Sequence, residues 1–281
     1  MITRFAPAPT GFLHLGHIVN AIHVWGIARA AGGRVLLRIE DHDRQRSRPQ
    51  FERAILDDLE WLGFAWDGPV ARQSDRDAIY ESALARLRAH GLVYACECSR
   101  TEIAAAGEPG AELRYPGTCA EKGLTEGPGR GTRVRLEPSV ERFVDRRLGP
   151  QQQHPADQCG DLLVRDRDGN WTYQFAVTVD DFDQGVTLVI RGEDLLPSTG
   201  RQIQLARLLG RTTPPEFLHH ALIMKNATQK LSKSDGDSGI ADLRARGWTA
   251  ADVLGSAAML AGLMAERAPI QATQLPALFT A

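Results

Sequence analysis

Two short segments carry the residue types that handle a polyphosphate. The first, His14-Leu15-Gly16-His17, follows the proline-rich Ala6-Pro7-Ala8-Pro9 and stands at the start of a helical pattern. Imidazoles three positions apart share one face of a helix. A helix N-terminus, with its unsatisfied N–H groups and the positive end of its dipole, favours phosphate. Gly16 between them lets a flat ligand approach the backbone. The second segment, Lys230-Leu231-Ser232-Lys233-Ser234, brings two ammonium groups and two hydroxyls on a late polar loop. That composition suits a loop closing on a polyphosphate and neutralising its charge as it transfers. Either segment alone reads equally well as a solvated polar stretch; the pair, in this order, carries the weight.

A second chemistry sits between them. Cys96, Cys98 and Cys119, with Tyr115 four positions before the last, supply three thiolates and a phenol, enough donors for a closed tetrahedral zinc site. Full coordination leaves no open position, so the role is structural. Tyrosine is a rare ligand, and a one-residue Cys separation is less diagnostic than a two-residue one. Cys159 stands apart and reads as a buried or free thiol. Around the cysteines Arg130, Arg133, Arg135, Arg142, Arg146 and Arg147 concentrate positive charge. They suit RNA phosphates, or equally strand faces paired with Glu137, Glu141 and Asp145. His23, His42, His90, His154, His219 and His220 have no convincing sequence partners and read as structural.

The elements that must position these groups follow from the apolar pattern. Ile2 to Phe5 reads as a strand, the residues after His17 as a helix stopped at Gly32-Gly33, and Arg34 to Ile39 as a strand delivering Glu40 and Asp41. Helical patterns follow over Pro49–Leu62 and Asp75–His90, the second opened by Ser74 with Asp77 three residues on. Later come a helix from Tyr173, a strand over Val186–Arg191, a helix over Ser198–Leu209, and helical stretches near Ile240–Gly247 and Ala250–Met264. The expectation is an α/β fold: residues 1–92 form the first half of a Rossmann-type parallel sheet, 93–170 an inserted zinc- and RNA-contacting subdomain, 171–225 the second half, and 226–281 the lysine-rich loop and a helical tail.

Composition bounds the rest. With 281 residues, 43% apolar, 24% charged and a net charge of −2, the chain fits none of the disordered, collagenous or coiled-coil profiles. No apolar run is long enough to span a bilayer and the N-terminus has no signal-like stretch, so a cytoplasmic protein with no membrane contact is expected. Near-neutral charge means that any RNA contact comes from a local patch.

The two motifs, with Arg4-Phe5-Ala6-Pro7, Arg38-Ile39-Glu40-Asp41, the segment from Tyr173 to Asp181 and Val189-Ile190-Arg191-Gly192, resemble in order the class I aminoacyl-tRNA synthetases of the glutamyl type. The likeness extends through Ser234, and the segment from Leu195 to Leu209 is most similar to the glutamyl-Q tRNA(Asp) synthetases, which modify an anticodon base. This resemblance implies a ligase that uses ATP with Mg²⁺ to convert L-glutamate to glutamyl-adenylate. Glutamate would then pass to queuosine in the anticodon of tRNA(Asp); the alternative is a minimal enzyme charging a tRNA 3′ end. It implies that His14, Gly16, His17, Lys230, Ser232 and Lys233 handle ATP, with His14, His17 and Lys233 catalytic. It also implies that Arg4, Phe5, Ala6, Pro7, Ala8, Glu40, Tyr173 and Arg191 contact glutamate. The chemistry agrees, since a substrate with two carboxylates and one ammonium needs cations and one anion. The chain departs from the family pattern at Ala8, where a serine is usual, so only backbone contacts carry over there. The resemblance strengthens the zinc reading of Cys96, Cys98, Tyr115 and Cys119. The stretch after Ser234 is too short for an anticodon-binding domain, and a monomer is expected.

Overall fold

A computed structural model describes residues 1–105, 112–223 and 239–280. Packing divides them into two compact units. One holds 1–73, 186–196 and the described part of 215–281; the other holds the described part of 74–185 together with 197–214.

The first unit is built on parallel strands. β1 (Ile2–Phe5) pairs with β2 (Arg34–Ile39), which pairs with the short β3 (Ala71–Arg72). Strands that alternate with helices and are covered on both faces read as nearly continuous apolar runs. Val35, Leu37 and Ile39 are accordingly fully buried. Helix α1 (Leu15–Ala30) joins β1 to β2; Ile18, Val19, Ile22 and Trp25 are among its eight buried residues. It ends where Gly32 takes a φ of +61°, a left-handed conformation that glycine adopts without strain. Gly26 is required by packing, because a Cβ there would lie 2.2 Å from the Phe279 ring. Helix α2 (Pro49–Trp61) buries Ile55, Asp58 and Leu59.

The strands that complete this unit are β9 (Leu188–Gly192) and β10 (Glu216–His220), a parallel pair in which Arg191 stands opposite His219. Thr187, just before β9, donates its N–H to the Ile2 carbonyl at 2.8 Å, tying β9 to the start of β1. Helices α8 (Ile240–Ala245) and α9 (Ala250–Leu260) add Ile240, Leu243, Val253 and Leu254 to the core. The cap of α9 satisfies both partners: the Thr249 hydroxyl accepts from Asp252 N while the Asp252 carboxylate accepts from Thr249 N.

The second unit is mainly antiparallel. β4 (Val93–Cys96), β5 (Gly131–Val134) and β8 (Leu162–Arg165) form one sheet, and β6 (Glu141–Asp145) with β7 (Gly149–Gln153) a hairpin. Helices α3 (Asp77–Ala89), α4 (Arg100–Ala105), α5 (Pro155–Cys159), α6 (Tyr173–Asp183) and α7 (Thr199–Leu208) complete it. Its core joins Tyr80, Leu84 and Leu87 of α3 to Val134, Leu162, Val164, Phe175, Val179 and Leu205. α3 does not start on a Ser74 cap as the sequence pattern suggests. Gln73–Asp75 forms a short 3-10 turn, and Arg76 occupies the cap position with no side-chain cap bond. Arg76 is turned instead to Asp180 and Asp183, at 2.7 and 2.6 Å.

Candidate active site

In the first unit the histidine pair is fixed by its own backbone. His14 is the N-cap of α1 rather than a residue of its first turn. Its Nδ1 accepts from Gly16 N at 3.1 Å, while His17 Nδ1 accepts from His14 N at 3.2 Å. The rings lie 3.9 Å apart, centroid to centroid. With both Nδ1 atoms accepting, each neutral ring carries its proton on Nε2, a donor suited to a phosphate oxygen. Two N–H groups at the start of α1 are thus engaged by the imidazoles. Gly16 has a structural reason as well, since a Cβ there would fall 2.9 Å from His14 Cε1.

The expected amino-acid residues of this unit gather at the C-terminal ends of the parallel strands, where open α/β sheets bind ligands. Arg4 and Phe5 end β1, and Ala6, Pro7 and Ala8 follow. Glu40 follows β2, and its N–H donates to the Pro7 carbonyl at 3.0 Å, holding the two strand ends together. Arg191 lies in β9, and Arg4 Nη1 makes a long 3.5 Å contact with the carbonyl of Ile190 beside it. Arg4, Glu40 and Arg191 are each at most 6% exposed. Two groups that sequence reasoning missed belong with them. Arg38, fully buried, pairs with Glu40 at 3.1 Å. His219, also fully buried, accepts from Arg191 Nε at 3.1 Å. Buried charged groups of both signs, Arg4, Arg38 and Arg191 with Glu40, thus share these strand ends.

Lys230, Ser232 and Lys233 lie outside the described residues. Gly239 bridges to His14, and Ile240 N donates to the Leu13 carbonyl at 2.9 Å. The residues that follow the lysine-rich segment are therefore anchored at the histidine pair.

Among the other histidines, His42 Nδ1 lies 2.6 Å from Gln73 Oε1, and His220 Nε2 3.2 Å from Asn20 Oδ1. Both are held by structural partners.

In the second unit Cys96 ends β4, Cys98 lies two residues on, and Cys119 lies in a turn that opens at Gly117, whose φ is +83°. The three sulfurs lie within 4.8 Å of one another. Cys98 Sγ and Cys119 Sγ are 3.5 Å apart, and the Tyr115 hydroxyl is 3.5 Å from Cys96 Sγ while accepting from Cys119 N at 2.8 Å. A tetrahedral zinc with sulfur at about 2.3 Å and oxygen at about 2.0 Å needs S···S near 3.8 Å and S···O near 3.5 Å. The donor set fits a metal ion. Burial, with the neighbouring sulfurs, raises the Cys98 thiol to about 11. Against the cost of burial, the Glu97 N–H and the Tyr115 hydroxyl hold Cys119 below its ordinary value. The site is buttressed from two sides: the Arg133 guanidinium stacks 3.6 Å from the Tyr115 ring centroid, and Tyr115 N donates to the Cys159 carbonyl at 2.9 Å. Cys159 itself is buried.

Tyr173 opens α6 in this unit and lines a cleft of about 640 Å³ that also reaches Cys96, Asp161, Gln174 and Arg201. Of the arginines, Arg133 is buried and donates to the Asp161 carbonyl, and Arg135 pairs with Glu121 at 2.8 Å. Arg142, Arg146 and Arg147 are exposed around the β6–β7 hairpin.

A family model described as tRNA synthetases class I (E and Q), catalytic domain, matches residues 1–266. The Glutamyl-Q tRNA(Asp) synthetase of Rhodobacter capsulatus is 44% identical over 274 residues, covering 90% of this chain and 98% of that protein. The protein of the same name from Bordetella bronchiseptica is 51% identical over 243 residues, 84% of this chain and 75% of that one. Two solved structures, a glutamate tRNA ligase from Elizabethkingia meningosepticum in complex with its amino acid and the glutamate-tRNA synthetase of Elizabethkingia anophelis, each give a TM-score of 0.81 at 28% identity over 98% of this chain. The chain spans 64% and 65% of those two structures' length.

Proposed function

Because the chain belongs to the class I tRNA synthetases of the E and Q type, matched through their catalytic domain, we propose that it activates L-glutamate with ATP and transfers it to queuosine in the anticodon of tRNA(Asp). The observation that carries the activation step is the joint burial of Arg4, Glu40 and Arg191 at the ends of neighbouring strands. A dicarboxylate is held by the two guanidiniums, and its α-ammonium by Glu40, with Phe5, Ala6, Pro7 and Ala8 lining the approach. The glutamate α-carboxylate attacks the α-phosphorus of ATP, the bond to the bridging oxygen breaks, and pyrophosphate leaves. His14 and His17 donate from Nε2 to the phosphates beside Gly16, Lys230 and Ser232 contact ATP, and Lys233 stabilises the developing charge. Such transfers are governed by positioning and charge stabilisation. Mg²⁺ bound with ATP offsets the polyphosphate charge. In the second step a hydroxyl of the queuosine ring attacks the activated carbonyl and AMP leaves.

The acceptor rests on the relatives' names and on their cover of this chain over most of their own length. Likeness to two glutamate tRNA ligases favours a second reading, the charging of a tRNA 3′ end by the same adenylate. Cys96, Cys98, Cys119 and Tyr115 would hold one structural zinc ion, which fixes the fold around them when bound. The protein acts as a monomer in the cytoplasm.

The activation step is tested by glutamate-dependent ATP–pyrophosphate exchange, run with and without tRNA. Wild type is expected to discriminate strongly against glutamine, because a pocket built for a charged carboxylate leaves buried cations unpaired with the amide; the penalty is on the order of 10⁴. Glu40→Gln should raise the KM for glutamate. Equal activation of glutamine, or an unchanged KM in Glu40→Gln, would contradict the assignment of the pocket.

A further inference from the structure

The geometry points to His219 as a positioning residue for glutamate recognition, acting through Arg191. It rests on the reading of Arg191 as a carboxylate ligand and adds the group that orients it. Arg191 and His219 stand opposite each other on the parallel strands β9 and β10, so their side chains leave the sheet on the same face. Both are buried, at 3% and 0% exposure. Arg191 donates its Nε–H to His219 Nε2 at 3.1 Å. To accept there, the neutral imidazole carries its proton on Nδ1.

The consequence follows from the shape of the guanidinium. It is a rigid planar fork that offers a carboxylate either its Nε–Nη edge or its Nη–Nη edge. With Nε–H held by His219, the plane is fixed by a second point beyond the side-chain stem, and a carboxylate is taken at the Nη–Nη edge. Phe217 flanks the imidazole. It lies two residues earlier on the same face of β10, nearly parallel to the His219 ring at 12° and 6.1 Å, and its ring is 5.9 Å from the Arg191 guanidinium carbon. A guanidinium fixed in this way loses less rotational freedom on binding. The direction of the carboxylate is then set by the protein before glutamate arrives.

The test compares His219→Leu, which keeps volume but removes the acceptor, with His219→Gln, which restores an acceptor oxygen. Arg191→Gln and the double variant Arg191→Gln/His219→Leu are measured beside them. The readouts are the KM values for glutamate and ATP, with thermal unfolding as a control for folding. His219→Leu is expected to raise the KM for glutamate about tenfold, the loss of one hydrogen bond from a charged donor. The KM for ATP stays in place, His219→Gln recovers most of the glutamate affinity, and His219→Leu adds nothing in the Arg191→Gln background. A raised KM in Arg191→Gln with none in His219→Leu overturns the inference and leaves the pocket standing. So does a His219→Leu effect that falls equally on ATP, tracks lowered thermal stability, or is not recovered by glutamine. No change in Arg191→Gln itself removes the reading of Arg191, and this inference with it.

Discussion

Asp58 is a buried carboxylate in α2 that the fold tolerates at a cost. It is 4% exposed, its Oδ2 has no hydrogen-bond partner, and burial raises its pKa from 3.8 to about 6 despite attraction from Arg244. Each pH unit of difference between the folded and unfolded values corresponds to about 1.4 kcal/mol, so the ionised group destabilises the native state by up to about 3 kcal/mol. The folded pKa lies above the unfolded one. Between about 4 and 6 the native state therefore holds more protons, and stability falls as pH rises; the penalty is absent below about 4 and complete above about 6. Asp58→Asn removes the charge but leaves an amide donor without a partner, at about 1 kcal/mol, and solvent near the exposed Arg244 reduces the gain further. The net expectation is about 1–2 kcal/mol of added stability at pH 8, or a few degrees in Tm for a protein of this size. Urea unfolding of both proteins from pH 4 to pH 8 isolates the residue, because other carboxylates cancel in the difference. A difference that does not change with pH, or an Asn variant less stable at pH 8, would refute the reasoning.

Gly16→Ala should separate stability from activity. Alanine favours the helix by up to about 1 kcal/mol, while its Cβ, 2.9 Å from His14 Cε1, displaces the ring; pyrophosphate exchange should fall with no loss of Tm. Gly160→Ala combines a φ of +65° with a Cβ 2.1 Å from the Tyr115 carbonyl oxygen. It should lower both stability and metal content, read by unfolding and by elemental analysis, and retained zinc would contradict the coupling of this turn to the site. Arg76→Leu removes the cation bonded at 2.7 Å to Asp180, which is 0% exposed. It should cost about 3–5 kcal/mol in urea unfolding, and a cost under about 1 kcal/mol would show that Asp180 does not depend on the pair.

The legible parts of this molecule are those written in neighbouring residues. The strand, helix, strand opening follows from the spacing of Ile2 to Ile39 and the glycine stop. The thiol cluster is legible because Cys96 and Cys98 stand two residues apart and Tyr115 and Cys119 four apart in the same stretch of chain. The hidden parts join distant residues. Arg191–His219 and Arg76–Asp180 are separated by 28 and 104 positions, and only strand register or helix packing brings them together. His219 reads as structural in sequence because nothing beside it betrays the arginine one strand away. Local pattern also misplaced one cap and left another unread. Ser74 lost to a 3-10 turn. The first histidine became the cap of α1, because its ring accepts from a backbone N–H as a serine would.

The central claim concerns where glutamate goes. Labelled glutamate and ATP are supplied with tRNA(Asp) carrying queuosine, with queuosine-free tRNA(Asp) and with tRNA(Glu), each before and after periodate cleavage of ring diols. Labelling of the queuosine-containing tRNA alone, lost after periodate, is the predicted result. Labelling of tRNA(Glu), or of tRNA(Asp) without queuosine, would contradict it and make the 3′ end the acceptor.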